Sequence, residues 1–135
     1  MIQFDSSFLV DLRDESLEEA PGPAFEFMEQ LDAAELLAVS VHVLAELRVG
    51  AELKRNSLHT HEGLDRILSG FLPIYPDQRF PMAYARVWAG TNRGKRTVAA
   101  MDLLIATAAI IEDAPLVTRN VKDFSRIPGL RVLSY

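Results

Sequence analysis

Short apolar runs alternate with longer helix-type segments along almost the whole chain, and no other feature limits the fold as much. Strands and helices that take turns in sequence build α/β folds around a mostly parallel sheet, because each crossover needs a helix to return the chain. Ile2 to Phe4 predicts a first strand, with Asp5-Ser6-Ser7 as the turn and cap of a helix running to about Arg13. Asp and Ser suit that place because their oxygens accept the helix's free N–H groups. An acidic loop with Pro21-Gly22-Pro23 leads to a helix over Ala24 to Leu31 and a strand over Leu36 to Ser40. Helices follow over Val41 to Lys54 and His59 to Leu68, then a strand over Phe71 to Tyr75. Asp77 to Asn92 predicts a helix, Arg93-Gly94-Lys95 a break, and Val98 to Glu112 a strongly apolar helix. Leu116 to Thr118 and Arg131 to Leu133 supply the remaining strands, with a polar turn from Arg119 to Phe124 after the first of them.

The 135 residues fit a single domain, 1–135, and a hydrophobic content of 49% is enough for a sizeable core. With no cysteine, disulfides, thiol catalysis and thiolate-bound zinc are excluded, and a reducing cytosol suits the composition. The start, Met1-Ile2-Gln3-Phe4-Asp5, lacks the basic region of a signal peptide. The longest apolar stretch, Leu103 to Ile111, falls well short of the ~20 residues of a membrane span. These features predict a soluble, cytoplasmic protein. The net charge of −5 argues against a general nucleic-acid binder, since phosphate contacts ordinarily require a basic surface. The argument weakens if several acids share one site with a divalent cation. Arg93, Lys95 and Arg96 lie just before Asp102, and Arg119 and Lys122 just before Asp123.

Four acids stand out. In an open parallel sheet, ligands gather beyond the C-terminal ends of the strands, and Asp5 falls there, directly after the first strand. Taken alone, Asp5 reads equally well as a helix cap. Val43, Glu46, Leu47 and Gly50 share one helical face, so Glu46 occupies a place where a core residue is expected. A Glu there is paired, ligating, or reaching solvent at the stripe's edge, with Arg48 and Lys54 as candidate partners. Asp102 sits in the apolar run Ala99 to Ala106, on one face with Val98, Ile105 and Ala109. Its own helix N-terminus offers about 0.3–1 kcal/mol. That is small beside the several kcal/mol of an uncompensated buried charge, so a site role is the better reading. Asp123 follows a strand in a polar turn, where Asp is common for local reasons, yet Thr118 and Asn120 share its position at the strand end. Three or four carboxylates at one sheet edge repel one another unless a cation joins them. Oxygen-only ligation suits Mg²⁺ or Mn²⁺.

Four segments carry a resemblance: Ile2 to Leu12 (IQFDSSFLVDL), Val39 to Gly50 (VSVHVLAELRVG), Met101 to Ala106 (MDLLIA) and Leu116 to Leu130 (LVTRNVKDFSRIPGL). In order and spacing the chain resembles PIN domains, specifically VapC-type toxins. The resemblance implies a three-layer α/β fold, a mostly parallel sheet flanked by helices, with an acidic metal site. Asp5, Glu46 and Asp102 match the family's first three acids, and Asp123 the last acid or polar group. Ser6, Thr118 and Asn120 are the supporting residues. Where the family often has Ile-Gly before the third acid, this chain has Val98-Ala99. The resemblance further implies RNA cleavage, silencing by an antitoxin that reaches into the site, and a homodimer.

Under that reading the acids hold one or two Mg²⁺ or Mn²⁺ ions, and attack on the scissile phosphate leaves a 5′-phosphate and a 3′-hydroxyl. The alternative is a PIN-like module that grips RNA or a partner without cutting. A phosphoryl-transfer domain with Asp5 as nucleophile would need a second acid two residues on, where Ser7 stands. Ser6-Ser7 lacks the Gly-x-Ser-x-Gly context of a serine hydrolase. His42, His59 and His61 form no metal-ligand spacing and read as solvated or packing residues.

Overall fold

The computed structural model describes residues 1–94 and 96–135, so Lys95 of the expected basic group lies outside the described residues. The chain runs β1 (Ile2–Phe4), α1 (Ser6–Leu17), α2 (Pro23–Glu29), β2 (Leu37–Ser40), α3 (Val41–Glu52) and α4 (Ser57–Leu68). It continues through β3 (Leu72–Ile74), α5 (Phe80–Thr91), α6 (Ala100–Ile111), β4 (Leu116–Val117), α7 (Val121–Phe124) and β5 (Val132–Leu133). The five strands form one sheet in the order β3-β2-β1-β4-β5, and every pairing is parallel. Here the α/β expectation from the alternating pattern holds.

Both faces of the sheet are covered. Strand residues alternate sides, so Phe4 and Gln3 point to opposite layers. Phe4 is fully buried and meets Phe8 of α1 at 4.7 Å, Phe71 at 5.3 Å and Phe27 of α2 at 6.3 Å between ring centroids. The last two contacts are edge-on, the arrangement favoured by aromatic quadrupoles. On the other face Gln3 Nε2 donates to the carbonyl of Ala108 at 3.1 Å, tying β1 to α6. Leu103, Ile105, Ala106 and Ala109 bury the rest of that helix.

Several boundaries differ from the expectation for local reasons. α1 continues to Leu17, beyond Arg13, and its last turn carries Glu15. Glu15 accepts from the N–H groups of Ala24 (3.1 Å) and Phe25 (2.8 Å), capping α2 where Gly22 has no side chain to do so. A Cβ on Gly22 would lie 2.5 Å from the Glu15 carboxylate, so a side chain there would displace Glu15 from its cap on α2. α5 begins at Phe80 rather than Asp77, because the Asp77 carboxylate accepts from Arg79 N (2.8 Å) and forms a turn first. Val121 to Phe124, expected as turn, is a four-residue helix. Among the described residues, no helix is long and apolar enough to cross a membrane.

The sheet order locates the functional crevice. From β1 the chain builds outward through β2 and β3, then returns to place β4 on the other side of β1. The strand order therefore reverses between β1 and β4, and ligands bind at the carboxyl ends of strands at such a switch point.

Candidate active site

Asp5 leaves β1 at that switch point, and its backbone N–H donates to the carbonyl of Val117 in β4 at 2.9 Å. It caps α1 through a bond from Ser6 N to Oδ1 (2.8 Å), and it is also the most enclosed acid of the crevice, 5% exposed. The cap and the candidate site residue are thus the same group. Its Oδ2 receives two hydroxyl protons, from Thr118 at 2.7 Å and from Ser7 at 3.0 Å. Thr118 Oγ1 in turn accepts from Asn120 N at 3.0 Å, and Ser7 Oγ accepts from Arg119 N at 3.2 Å. A hydroxyl whose lone pair is occupied by an N–H keeps its proton for the carboxylate.

Ser6 joins the second acid to the first. Its hydroxyl lies 3.0 Å from Glu46 Oε2 and 3.4 Å from Asp5 Oδ1. Glu46 reaches the crevice because Ser40, the last residue of β2, caps α3 directly, its Oγ accepting from Val43 N at 3.3 Å. The helix therefore starts at the strand's carboxyl end with no loop between. Neither expected ion-pair partner reaches Glu46: Arg48 bonds Asp65 and His61 instead. Burial raises the Glu46 carboxyl above its ordinary value, the Ser6 bond opposes this, and the charge of Asp5 adds to the rise.

Asp102 lies in the first turn of α6. Asn92 sets the approach to that helix by holding both backbone groups of Val98: Val98 N donates to its Oδ1 (2.8 Å), and its Nδ2 donates to Val98 O (3.2 Å). Val98 is buried and Ala99 takes the N-cap position, so the Val-Ala pair serves where the family often has Ile-Gly. Burial, and after it the charges of Asp5, Glu46 and Asp123, together raise the Asp102 carboxyl to about 6. Asp102 thus senses the charges of the other three acids, and Glu46 that of Asp5. Asp123 contributes from the first turn of α7.

The four acids therefore meet electrostatically at one sheet edge, but among the described residues no three are spaced to enclose an ion as they stand. Among the described residues, none of the four is ion-paired to Lys, Arg or His. Their donors are all carboxylate oxygens, a set that suits a hard divalent cation better than a softer one. Of the expected basic residues, Arg93, Arg96 and Lys122 are exposed, and the Arg119 guanidinium is engaged by Asp11. Ser7 and Asn92 were not singled out by the sequence reading. Ser7 had one signal, its place in the first turn after a capping Asp.

Comparison with known proteins supports the fold. The family model for the PIN domain matches residues 2–130. The chain belongs to the PIN-domain family. A curated relative, Ribonuclease VapC2 of Rickettsia felis, is 33% identical over 110 residues, covering 82% of each chain. VapBC2 from Rickettsia felis, solved bound to a DNA fragment from their promoter, superposes with a TM-score of 0.88 at 29% identity. That match covers 100% of this PIN domain and 99% of the other chain. A toxin-antitoxin complex from Klebsiella pneumoniae gives a TM-score of 0.72 at 25% identity, covering 98% and 96% of the two chains.

Proposed function

We propose that this PIN domain is a metal-dependent endoribonuclease, the toxin of a toxin–antitoxin pair, with Asp5, Glu46, Asp102 and Asp123 as its metal-binding and catalytic acids. The raised pKa of the Asp102 carboxyl, from burial and then from the charges of the other three acids, carries the reading. A site that stores unbalanced negative charge is completed by a cation, here Mg²⁺ or Mn²⁺. When bound, such an ion supplies an activated water and stabilises charge on the leaving oxygen of a phosphodiester.

The chain's own residues prepare for this. Thr118 and Ser7 fix the Asp5 carboxylate through Oδ2, and Ser6 sets the spacing between Asp5 and Glu46. Asn120 acts here through its backbone N–H, which orients Thr118. The half-buried position of Asp102 keeps the charge partly out of water, where its attraction for a cation is least screened. A carboxylate cluster also accepts a protein cation, so an antitoxin supplying Arg would occupy the same crevice. The same reading takes residues 1–135 as one domain that acts as a homodimer in the cytoplasm.

Single-stranded RNA incubated with the protein and Mn²⁺ tests the reading. Cleavage should appear with the metal, vanish with chelator, and be lost in folded Asp102→Asn. A folded Asp102→Asn protein that cuts at the wild-type rate would overturn it.

A further inference from the structure

Ser7 and Asp11 are one turn apart on α1 and so share a face, and residue 119 is fastened to both. Its backbone N–H donates to Ser7 Oγ at 3.2 Å. Its guanidinium Nη1 donates to both oxygens of Asp11, at 2.9 and 2.8 Å. Asp11 Oδ2 also accepts from the Tyr135 hydroxyl at 2.7 Å. The Tyr135 ring lies edge-on to Phe8, 4.8 Å between centroids, which fixes the hydroxyl over α1. One carboxylate thus collects the turn after β4 and the segment after β5.

The arrangement makes little sense as a stability device. The Arg119 side chain is 66% exposed, and an ion pair so open to solvent contributes at most about 1 kcal/mol. Its geometric consequence is larger. With residue 119 held at two points, its N–H stays on Ser7 Oγ and directs the Ser7 proton at Asp5 Oδ2. Thr118, the neighbour of residue 119, delivers the other proton to the same oxygen.

We propose that Asp11 and Tyr135 are positioning residues for the crevice, holding Arg119 and, through it and Ser7, fixing the Asp5 carboxylate. The proposal rests on the crevice being a cation site. Groups that orient a metal ligand change affinity by about 10–100-fold, and a tether one step further out should act at the lower end of that range.

Mn²⁺ binding to the folded proteins by calorimetry, alongside the Mn²⁺ concentration giving half-maximal cleavage, tests this. Asp11→Ala and Arg119→Ala should each weaken Mn²⁺ binding about tenfold. Cleavage at saturating Mn²⁺ should stay within about twofold of wild type, and the double variant should be no worse than either single one, since both cut the same tether. Tyr135→Phe keeps the ring on Phe8 and removes only the donated bond, so it should shift affinity in the same direction by less. A purely structural role would lower the melting temperature and leave Mn²⁺ affinity of the folded protein untouched. If Asp11→Ala does not fold, Tyr135→Phe and Arg119→Ala decide. Affinities within twofold of wild type for the folded variants overturn the positioning role. Equal Mn²⁺ binding by wild type and Asp102→Asn would instead overturn the cation site itself.

Discussion

Glu46 and Arg48 lie on the same helix, yet they belong to two charge networks of opposite design. Arg48 faces α4, where it ion-pairs with Asp65 and donates to His61 O and Nδ1, each at 3.2 Å. Arginine can only donate, so His61 Nδ1 accepts and its Nε2–H is left to donate to Glu52 at 3.0 Å. Arg48 and Asp65 balance each other in this seam, Glu52 is bonded by the neutral His61, and both acids are open to water, Asp65 at 63% and Glu52 at 74% exposure. Glu46 faces the crevice, where its partner is a neutral hydroxyl and its neighbours are more acids. The Arg48–Asp65 pair is electrically closed and, being exposed, contributes little to stability. The crevice is electrically open, and an open cluster opposes folding until something positive binds. That contrast separates charges paired at a surface from charges left without a cation.

The largest expected effect breaks the contrast on its functional side. Asp5→Asn, Glu46→Gln and Asp102→Asn should each reduce RNA cleavage by on the order of 10³-fold or more, since such a site works as a unit. Arg48→Ala, a change in the closed seam, should leave cleavage within about a factor of two. Rates measured on folded protein at saturating Mn²⁺ check both. A seam variant as inactive as a crevice variant would erase the distinction.

A smaller effect concerns the hydroxyls that stand in the crevice where the seam has cations. Thr118 is fully buried and donates to Asp5 Oδ2. Thr118→Val keeps the shape, strips that bond and leaves Asn120 N without its acceptor. Mn²⁺ affinity should fall about tenfold, the low end for a group that orients a ligand. Stability should drop by about 1–3 kcal/mol for the unpaired groups. Calorimetry and chemical denaturation give the two numbers separately.

The carboxylates should also tie stability to pH. The Asp102 carboxyl is raised from 3.8 to about 6 in the folded protein. The folded state therefore holds that proton more tightly than the unfolded chain does. Its favourable contribution is complete below 3.8 and is lost as pH rises through about 6. In chelator, Asp102→Asn should match wild type near pH 4 and exceed it at pH 7. After allowing for solvent screening of a half-exposed group, the gain is about 1–2 kcal/mol. Mn²⁺ should reverse the order, stabilising wild type by about 2.7 kcal/mol at a hundredfold excess over its dissociation constant and the variant much less. Melting temperatures across a pH series, with chelator and with Mn²⁺, would show equal metal shifts if Asp102 were not a ligand.

The parts of this molecule legible in the sequence are those whose signal is local. β1 and β2 announce themselves as short apolar runs, and Asp102 as a lone carboxylate among Ala, Leu and Ile. The parts that were not legible depend on which strands become neighbours. Ser7 matters because β4 lies beside β1 and brings Arg119 N to it, a contact across 112 positions. Asn92 matters because the chain folds back on itself at Val98. α7 is too short to show a helical period, and the last turn of α1 is set by what Glu15 caps in α2. The pairing of Glu46 was undecided in the sequence for the same reason: helical spacing lists partners, and only the packing of α1 against α3 selects Ser6.

The smallest effect tests the closed side of the comparison. Arg48→Ala, Asp65→Ala and the double variant form a thermodynamic cycle on an exposed pair. Its coupling should be about 0.2–1 kcal/mol, because water already solvates both groups and ordering two long side chains costs entropy. In 1 M salt the Debye length falls to about 3 Å, so the coupling should shrink toward zero. The crevice should behave in the opposite sense. Its charges repel, so salt should stabilise the metal-free wild type while leaving Asp102→Asn less changed. Denaturation of the five proteins at low and high salt reads both trends together. Salt that weakened the seam and the crevice alike would mean the crevice acids are already neutralised within the protein, and that no cation is needed to complete them.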